Sequence, residues 1–173
     1  MTPKGFSHVG LSTLDLDATR AFYEGVLGFR AVRCDIMEFE EGGRIRHVFF
    51  DCGNGQMMAF MEPKGVPGVP AEYDAGINRG LGVPDAFYHF AFDVESHAAL
   101  VAKRNALLAK GVRVTPIVDH EGWMESIYFK DPNGLMLEFA WQSRALTDDD
   151  AVMALRARHS LRARSPVTDF RRD

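Results

Sequence analysis

The chain has 173 residues, of which 46% are hydrophobic and 25% charged, and its formal net charge is −4. These values are typical of a globular protein with a sizeable core. The negative charge gives no support for a nucleic-acid partner, and no apolar run is long enough to span a membrane. We therefore expect neither nucleic acid nor a membrane among its partners.

The two cysteines, Cys34 and Cys52, have the spacing of neither a metal motif nor a disulfide framework. We expect both to be buried or half-buried free thiols. The N-terminus carries no apolar stretch of the signal-peptide type. Together these features predict a cytoplasmic protein.

The most informative feature of the sequence is an internal repeat. The strand-like segment around His8 resembles the one around His89, and each precedes a helix-like segment, residues 15–27 and residues 96–110. Three further strand-like segments follow in each half, and a turn rich in Asp, Asn and Gly joins the last two. These segments are residues 29–39, 45–51 and 56–61 in the first half, and residues 112–118, 126–130 and 135–141 in the second.

The repeat predicts an α+β fold in which two βαβββ modules form a cupped, metal-binding sheet within a single domain. The modules span residues 5–62 and 86–142, and residues 63–85 form a linker that also supplies a lid or a wall. Residues 143–173 form a C-terminal extension with a helix over residues 148–164.

Side-chain alternation along the strands selects three candidate metal ligands. His8, His89 and Glu138 each face away from the apolar residues of their own strand. Those apolar residues must cover the helices, so the three polar side chains project from the helix-free faces. Each alone is more often structural, but two imidazoles and a carboxylate together suit a divalent metal with open coordination positions. The apolar residues expected against the helices are Val9, Leu11, Phe90, Phe92, Leu137 and Phe139.

Two longer motifs carry a family resemblance. Residues 21–29 read AFYEGVLGF, and residues 127–139 read IYFKDPNGLMLEF. With the two histidine segments, they resemble the vicinal oxygen chelate superfamily over residues 5–142. That superfamily includes glyoxalases, bleomycin-resistance proteins, fosfomycin-resistance enzymes and extradiol dioxygenases.

The resemblance implies metal ligands on the first and last strands of the modules, where His8, His89 and Glu138 stand. The fourth family position aligns with Ala59, which cannot ligate a metal. Glyoxalases typically place a glutamate there, so this departure argues against a standard glyoxalase reaction. Glu62 lies three residues further on and on the opposite face, and we expect it to be a poor substitute.

A resemblance to extradiol dioxygenases adds two catalytic candidates. Those enzymes carry a tyrosine ten residues before the glutamate, where Tyr128 stands, and a histidine on the preceding loop. His120 lies one residue from the usual place of that histidine. The alternative interpretations are a core aromatic for Tyr128 and an exposed loop residue for His120. His47 is a further candidate site residue if its side chain lies on the helix-free face of its strand, but Arg46 or Val48 could equally occupy that face.

Three functions remain open at this point. The first is an extradiol-type dioxygenase that binds Fe²⁺, with Mn²⁺, Zn²⁺ or Ni²⁺ as alternative metals, and acts on a small catecholic substrate. The second is a glyoxalase-like isomerase or lyase, or a thiol transferase. The third is a small-molecule binding protein of the bleomycin-resistance type, although such binders usually lack the metal ligands. The linker is compatible with a homodimer, and we expect Trp123, Met124, Phe60 and Tyr88 to wall an apolar substrate pocket.

Overall fold

The computed structural model describes residue 3 and residues 5–152. The chain divides into two compact units, which are named here unit one and unit two. Unit one comprises Met1–Leu81 and Asp131–Leu135, and unit two comprises Gly82–Lys130 and Met136–Asp173.

Unit one has the predicted βαβββ order. Its first strand is parallel to the last, the other pairs are antiparallel, and the strand order is β1-β4-β3-β2. A short helix, α2, lies in the segment predicted as a linker. The elements are β1 (His8–Ser12), α1 (Leu16–Arg20) continued by a π-helix (Ala21–Val26), β2 (Arg30–Glu38), β3 (Arg44–Gly53), β4 (Gln56–Lys64) and α2 (Ile77–Leu81).

The first helix begins where the sequence predicts, but it changes its winding. Asp15 caps it by accepting a hydrogen bond from the backbone N–H of Ala18 at 2.9 Å. After Arg20 the winding becomes π-helical, and the N–H of Leu27 donates to the carbonyl of Phe22 at 3.0 Å. The helix ends before Gly28, which adopts a positive φ of 78°.

Unit two repeats this architecture with the strand order β5-β8-β7-β6. Ser96 caps its long helix by accepting from the N–H of Ala99 at 3.1 Å, and the helix lies within the predicted segment, residues 96–110. The matching strand order confirms the predicted pair of βαβββ modules. The elements are β5 (His89–Asp93), α3 (His97–Ala109), β6 (Val118–His120), β7 (Met124–Lys130) and β8 (Met136–Gln142).

The strand predicted at residues 112–118 is wrong in its position. Only Val118 of that segment belongs to β6, and Val114 makes an isolated bridge to Phe129. Pro116 has no N–H to donate, which explains why no continuous ladder forms there. Of the helix predicted at residues 148–164, Asp148–Ala151 form a 3₁₀ turn, and residues 153–164 lie outside the described residues.

Each unit has an aromatic core on the helix side of its sheet. In unit one, Tyr23 is fully buried and packs against Phe50 and Phe60, with ring centroids 5.1 and 4.9 Å apart. The prediction that Phe60 walls a substrate pocket is therefore wrong. In unit two, Phe129 stacks on Phe139 at 5.3 Å. Among the apolar residues expected against helices, Leu11, Leu137 and Phe139 are buried, whereas Val9, Phe90 and Phe92 are half-buried.

The structure bears on the expectations about the two cysteines and about membrane spans. Both cysteines are free, but Cys34 is exposed, contrary to the expectation, and Cys52 is half-buried. Within residues 5–152, no helix is long and apolar enough to cross a bilayer.

Candidate metal centre

Strand register in unit two brings three predicted site residues to one face of the sheet. Glu138 on β8 pairs with Ala91 of β5 on one side and with Tyr128 of β7 on the other. His89 precedes Ala91 by two residues, so its side chain shares the face of Glu138. Alternation predicted the shared face of His89 and Glu138, whereas Tyr128 was a candidate only through the family resemblance.

His89 and Glu138 are in direct contact. Nε2 of His89 lies 3.2 Å from Oε2 of Glu138, while its Nδ1 lies 3.1 Å from the carbonyl oxygen of Ala86. A carbonyl can only accept a hydrogen bond, so Nδ1 carries a proton. In the neutral ring, Nε2 therefore presents its lone pair towards the glutamate, as a metal-ligating histidine does.

The electrostatics of this pair favour a bound cation or a shared proton. The hydrogen bond to Glu138 raises the pKa of His89. Burial by itself raises the pKa of Glu138, but the interactions with His89 and Ser126 outweigh burial and leave that pKa below its usual range. Glu138 is only 1% exposed, and its Oε1 has no hydrogen-bond partner among the described residues.

Tyr128 and His120 form a second contact at the same face. The Tyr128 hydroxyl lies 3.0 Å from Nε2 of His120. Burial, and next the charge of Glu138, raise the pKa of Tyr128 well above its usual value, so this hydroxyl keeps its proton at neutral pH. Thr115 fixes the tyrosine backbone, because its hydroxyl accepts from the N–H of Tyr128 at 3.1 Å.

The fifth predicted site residue, His8, lies in unit one on β1. Its Nδ1 is 3.2 Å from the Ser7 hydroxyl, and its ring meets Phe49 edge-on at 5.6 Å. His47 contacts the same phenylalanine at 4.4 Å, so His47 shares the face of His8. The sequence did not determine whether His47 or its neighbours Arg46 and Val48 face away from the helices. The structure places His47 on that face and turns Arg46 and Val48 to the helix side.

Glu62 has a structural role on that helix side. It is 1% exposed and accepts two hydrogen bonds from Arg46, at 2.6 and 2.9 Å, and one from the N–H of Leu16 at 3.1 Å. These contacts satisfy its carboxylate on the face opposite to Ala59.

The donor set of unit two fits a divalent metal. An imidazole nitrogen of His89 and a carboxylate oxygen of Glu138 lie 3.2 Å apart, and both are ligand types that a divalent metal would take. The other oxygen of this buried carboxylate, Oε1, has no partner among the described residues, so the carboxylate has capacity for a further interaction. In the described part of the chain, however, no group of three or more His, Cys, Asp or Glu side chains is arranged to hold a metal. The three-ligand set with His8 therefore stays a prediction.

The Asp-Pro-Asn-Gly motif has a structural role within unit one. Asp131 accepts from the Tyr23 hydroxyl at 3.3 Å and from Nδ2 of Asn133 at 2.8 Å. Oδ1 of Asn133 accepts from the Thr13 hydroxyl at 2.7 Å, and its Nδ2 also donates to Thr19 at 3.2 Å. This buried network links Tyr23, from the motif at residues 21–29, to the Asp-Pro-Asn-Gly turn.

Ser126 is the residue that the sequence reasoning missed. It is fully buried, lies two residues before Tyr128 on the same face of β7, and has an unpartnered hydroxyl. Its spacing of two residues from Tyr128 could have placed it on the same face of the strand from the sequence alone.

Of the expected pocket residues, Trp123 lines a cavity of about 440 Å³ in unit two, together with Arg144 and Leu146.

Comparison with known proteins identifies the family. The model of the Glyoxalase/Bleomycin resistance protein/Dioxygenase superfamily matches residues 5–139. The chain therefore belongs to this superfamily, which is the vicinal oxygen chelate superfamily. A search of curated proteins finds no significant match.

Solved structures show the same fold. A glyoxalase family protein from Enterococcus faecalis is 27% identical, with a TM-score of 0.52 over 79% of this chain and 97% of the other. Lactoylglutathione lyase from Agrobacterium tumefaciens is 23% identical, with a TM-score of 0.56 over 82% and 96%. The fosfomycin resistance protein FosX from Listeria monocytogenes is 20% identical, with a TM-score of 0.56 over 87% and 100%.

Proposed function

We propose that this protein is a divalent-metal-dependent enzyme of the extradiol dioxygenase type, acting on a small catecholic substrate. The observation that carries the proposal is the hydrogen bond between Tyr128 and His120 beside the buried Glu138. A tyrosine hydroxyl that is hydrogen-bonded to a histidine beside a carboxylate can act in general acid–base catalysis on a substrate oxygen.

The proposed ligands are His8, His89 and Glu138, and His8 comes from the same chain or from a second copy in a homodimer. The metal is Fe²⁺, with Mn²⁺, Zn²⁺ or Ni²⁺ as alternatives. When bound, the ion would supply Lewis-acid and redox chemistry. Ala59 supports this proposal because it offers no fourth ligand.

The remaining side chains act on protons and orientation. The Tyr128 hydroxyl, protonated at neutral pH, donates a hydrogen bond to a substrate oxygen. While that hydrogen is donated to the substrate, the Tyr128 oxygen accepts a hydrogen bond from the Nε2–H of His120, which holds the hydroxyl in place. The carbonyl of Ala86 holds the ring of His89 in the tautomer whose Nε2 can bind a metal.

Metal binding is the first test of the proposal. The full chain, purified without oxygen, should hold about one divalent ion, and replacing His8, His89 or Glu138 by Ala should abolish binding. His97→Ala is the matched control, because His97 is bonded to Glu125 on the helix side of unit two. Full metal occupancy in one of the three variants would remove that residue from the ligand set.

Oxygen chemistry is the second test. Fe²⁺-loaded protein should consume O₂ with at least one member of a catechol panel and release a yellow ring-fission product. Tyr128→Phe and His120→Gln should lower turnover more than substrate binding, while His97→Gln should change neither. Metal-dependent turnover of a thiol adduct or an epoxide without O₂ uptake would instead favour the isomerase or transferase. Binding of a small molecule without any metal would favour the binding protein.

A further inference from the structure

Two buried polar atoms without partners lie on the same face of the unit two sheet. Oε1 of Glu138 and the hydroxyl oxygen of Ser126 are both shielded from solvent, and neither has a hydrogen-bond partner among residues 5–152. The two residues are 1% and 0% exposed. A buried polar atom left unpaired is unfavourable, so two of them near each other indicate a missing interaction between them.

The strand register places these residues as diagonal neighbours. Tyr128 pairs with Glu138 and Ser126 pairs with Ala140, so Ser126 lies one diagonal step from the glutamate on the adjacent strand. Diagonal neighbours can reach each other when one side chain is long, as that of Glu138 is.

The corresponding positions of unit one lack both groups. Phe49 pairs with Ala59 as Tyr128 pairs with Glu138, and His47 stands two residues before Phe49 as Ser126 stands before Tyr128. The serine is thus present in the module that has the carboxylate, and a larger residue replaces it where the carboxylate is missing.

We propose that Ser126 is a positioning residue that donates its hydroxyl hydrogen to Oε1 of Glu138, directly or through one water, and so leaves Oε2 beside His89 to bind the metal. This inference rests on the proposed role of Glu138 as a ligand. A serine hydroxyl rotates freely and has one hydrogen to donate, while an ionised carboxylate only accepts, so the two groups match. A fixed carboxylate loses less freedom when it binds an ion.

Equilibrium binding of Co²⁺ to the full-length protein tests the inference. Ser126→Ala should weaken Co²⁺ binding by about 10- to 100-fold, the usual effect of losing a residue that orients a ligand. The visible spectrum of bound Co²⁺ should shift, because Oε1 becomes free to approach the ion. The metal-free Ser126→Ala protein should remain folded with a lowered melting temperature, because the buried Oε1 of Glu138 loses its donor. Ser126→Cys retains a weak donor and should bind Co²⁺ with intermediate affinity.

Ser96→Ala is the matched control. It removes a helix cap, so it should lower the melting temperature while leaving the Co²⁺ affinity and spectrum unchanged. Unchanged affinity and spectrum in a folded Ser126→Ala protein would overturn the role of Ser126 while leaving the proposed function intact. Failure of the wild-type protein to bind Co²⁺ or any other divalent ion would overturn both.

Discussion

Ala59 and Glu138 occupy equivalent positions in the two sheets. Ala59 lies between Gly10 and Phe49 in the strand register, and Glu138 lies in the same way between Ala91 and Tyr128. The two modules therefore differ at this position, where unit two has a carboxylate and unit one has a methyl group.

Ala59→Glu tests what this difference means for metal binding. A glutamate here should bind the metal as a fourth ligand, so affinity for a divalent ion should rise and O₂-dependent turnover should fall as a position closes. Without metal, the variant should be less stable than the wild type, because Ala59 is 1% exposed and the new carboxylate would be buried without a partner.

Isothermal titration with Zn²⁺ and thermal melts with and without metal measure these effects. Ala59→Leu is the control, because it adds bulk at the same position without a donor atom. If Ala59→Glu and Ala59→Leu bound Zn²⁺ with the same affinity, position 59 would not face the metal.

Much of the fold follows from the sequence, because local signals and long-range packing agree. The helix α3 lies within the predicted segment, residues 96–110, and the alternation along β8 predicts that Glu138 faces away from Leu137 and Phe139. The relation of Glu138 to His89 was also predictable, since both positions follow from the period of two in a strand.

Other features depend on information that a strand or helix pattern does not contain. Residues 112–118 have the composition of a strand, but Pro116 and the hydrogen bonds of Thr115 to Tyr128 keep most of them outside the ladder. Phe60 was expected at a pocket wall, although the register of β4 turns it towards Tyr23. The hydrogen bond between His120 and Tyr128 depends on loop geometry, which the spacing of the two residues does not determine.

The buried carboxylate of Glu62 should make the free energy of unfolding depend on pH. Hydrogen bonds from Arg46 outweigh burial and lower the pKa of Glu62 in the folded state. A carboxyl with a lowered folded-state pKa contributes stability above its unfolded pKa, about 4.3, and loses it as pH falls through the folded value. Glu62→Gln should therefore cost about 1–3 kcal/mol of unfolding free energy at pH 7, and less below about pH 4.

Urea denaturation at pH 7 and pH 3 measures the free energy of unfolding for this comparison. Glu24→Gln is the control, since the Arg20–Glu24 pair is exposed and should contribute about 0–1 kcal/mol. An equal loss at both pH values for Glu62→Gln would show that the ionised carboxylate does not provide the stability.

The Thr13 hydroxyl should contribute to folding through the network around the Asp-Pro-Asn-Gly turn. Thr13 is fully buried, lies 2.8 Å from the Thr19 hydroxyl, and donates to Asn133 at 2.7 Å. Thr13→Val keeps the shape but leaves the carbonyl oxygen of the Asn133 side chain without this donor. The free energy of unfolding should fall by about 1–3 kcal/mol.

Chemical denaturation measures the free energy of unfolding of the Thr13→Val protein. Thr13→Ser keeps the hydroxyl and loses the methyl group, so its thermal stability distinguishes the effect of hydrogen bonding from that of packing. The serine variant should retain more stability than the valine variant, although it lacks the methyl group. The reverse order would show that packing of the methyl group, not hydrogen bonding, dominates at this position.

The two cysteines should differ in their reaction with iodoacetamide. Burial raises the pKa of the Cys52 thiol to about 11, and its Sγ lies 3.6 Å from the carbonyl oxygen of Phe50, whereas Cys34 is exposed on the edge strand β2. Only the thiolate attacks the reagent, so at pH 8 the alkylation of Cys34 should be much faster than that of Cys52. Mass spectrometry of Cys34→Ser and Cys52→Ser proteins, each sampled over time, measures the two rates separately. The rate at Cys52 should rise as the pH approaches 11 while the protein remains folded, and equal rates at pH 8 would contradict the burial of its thiol.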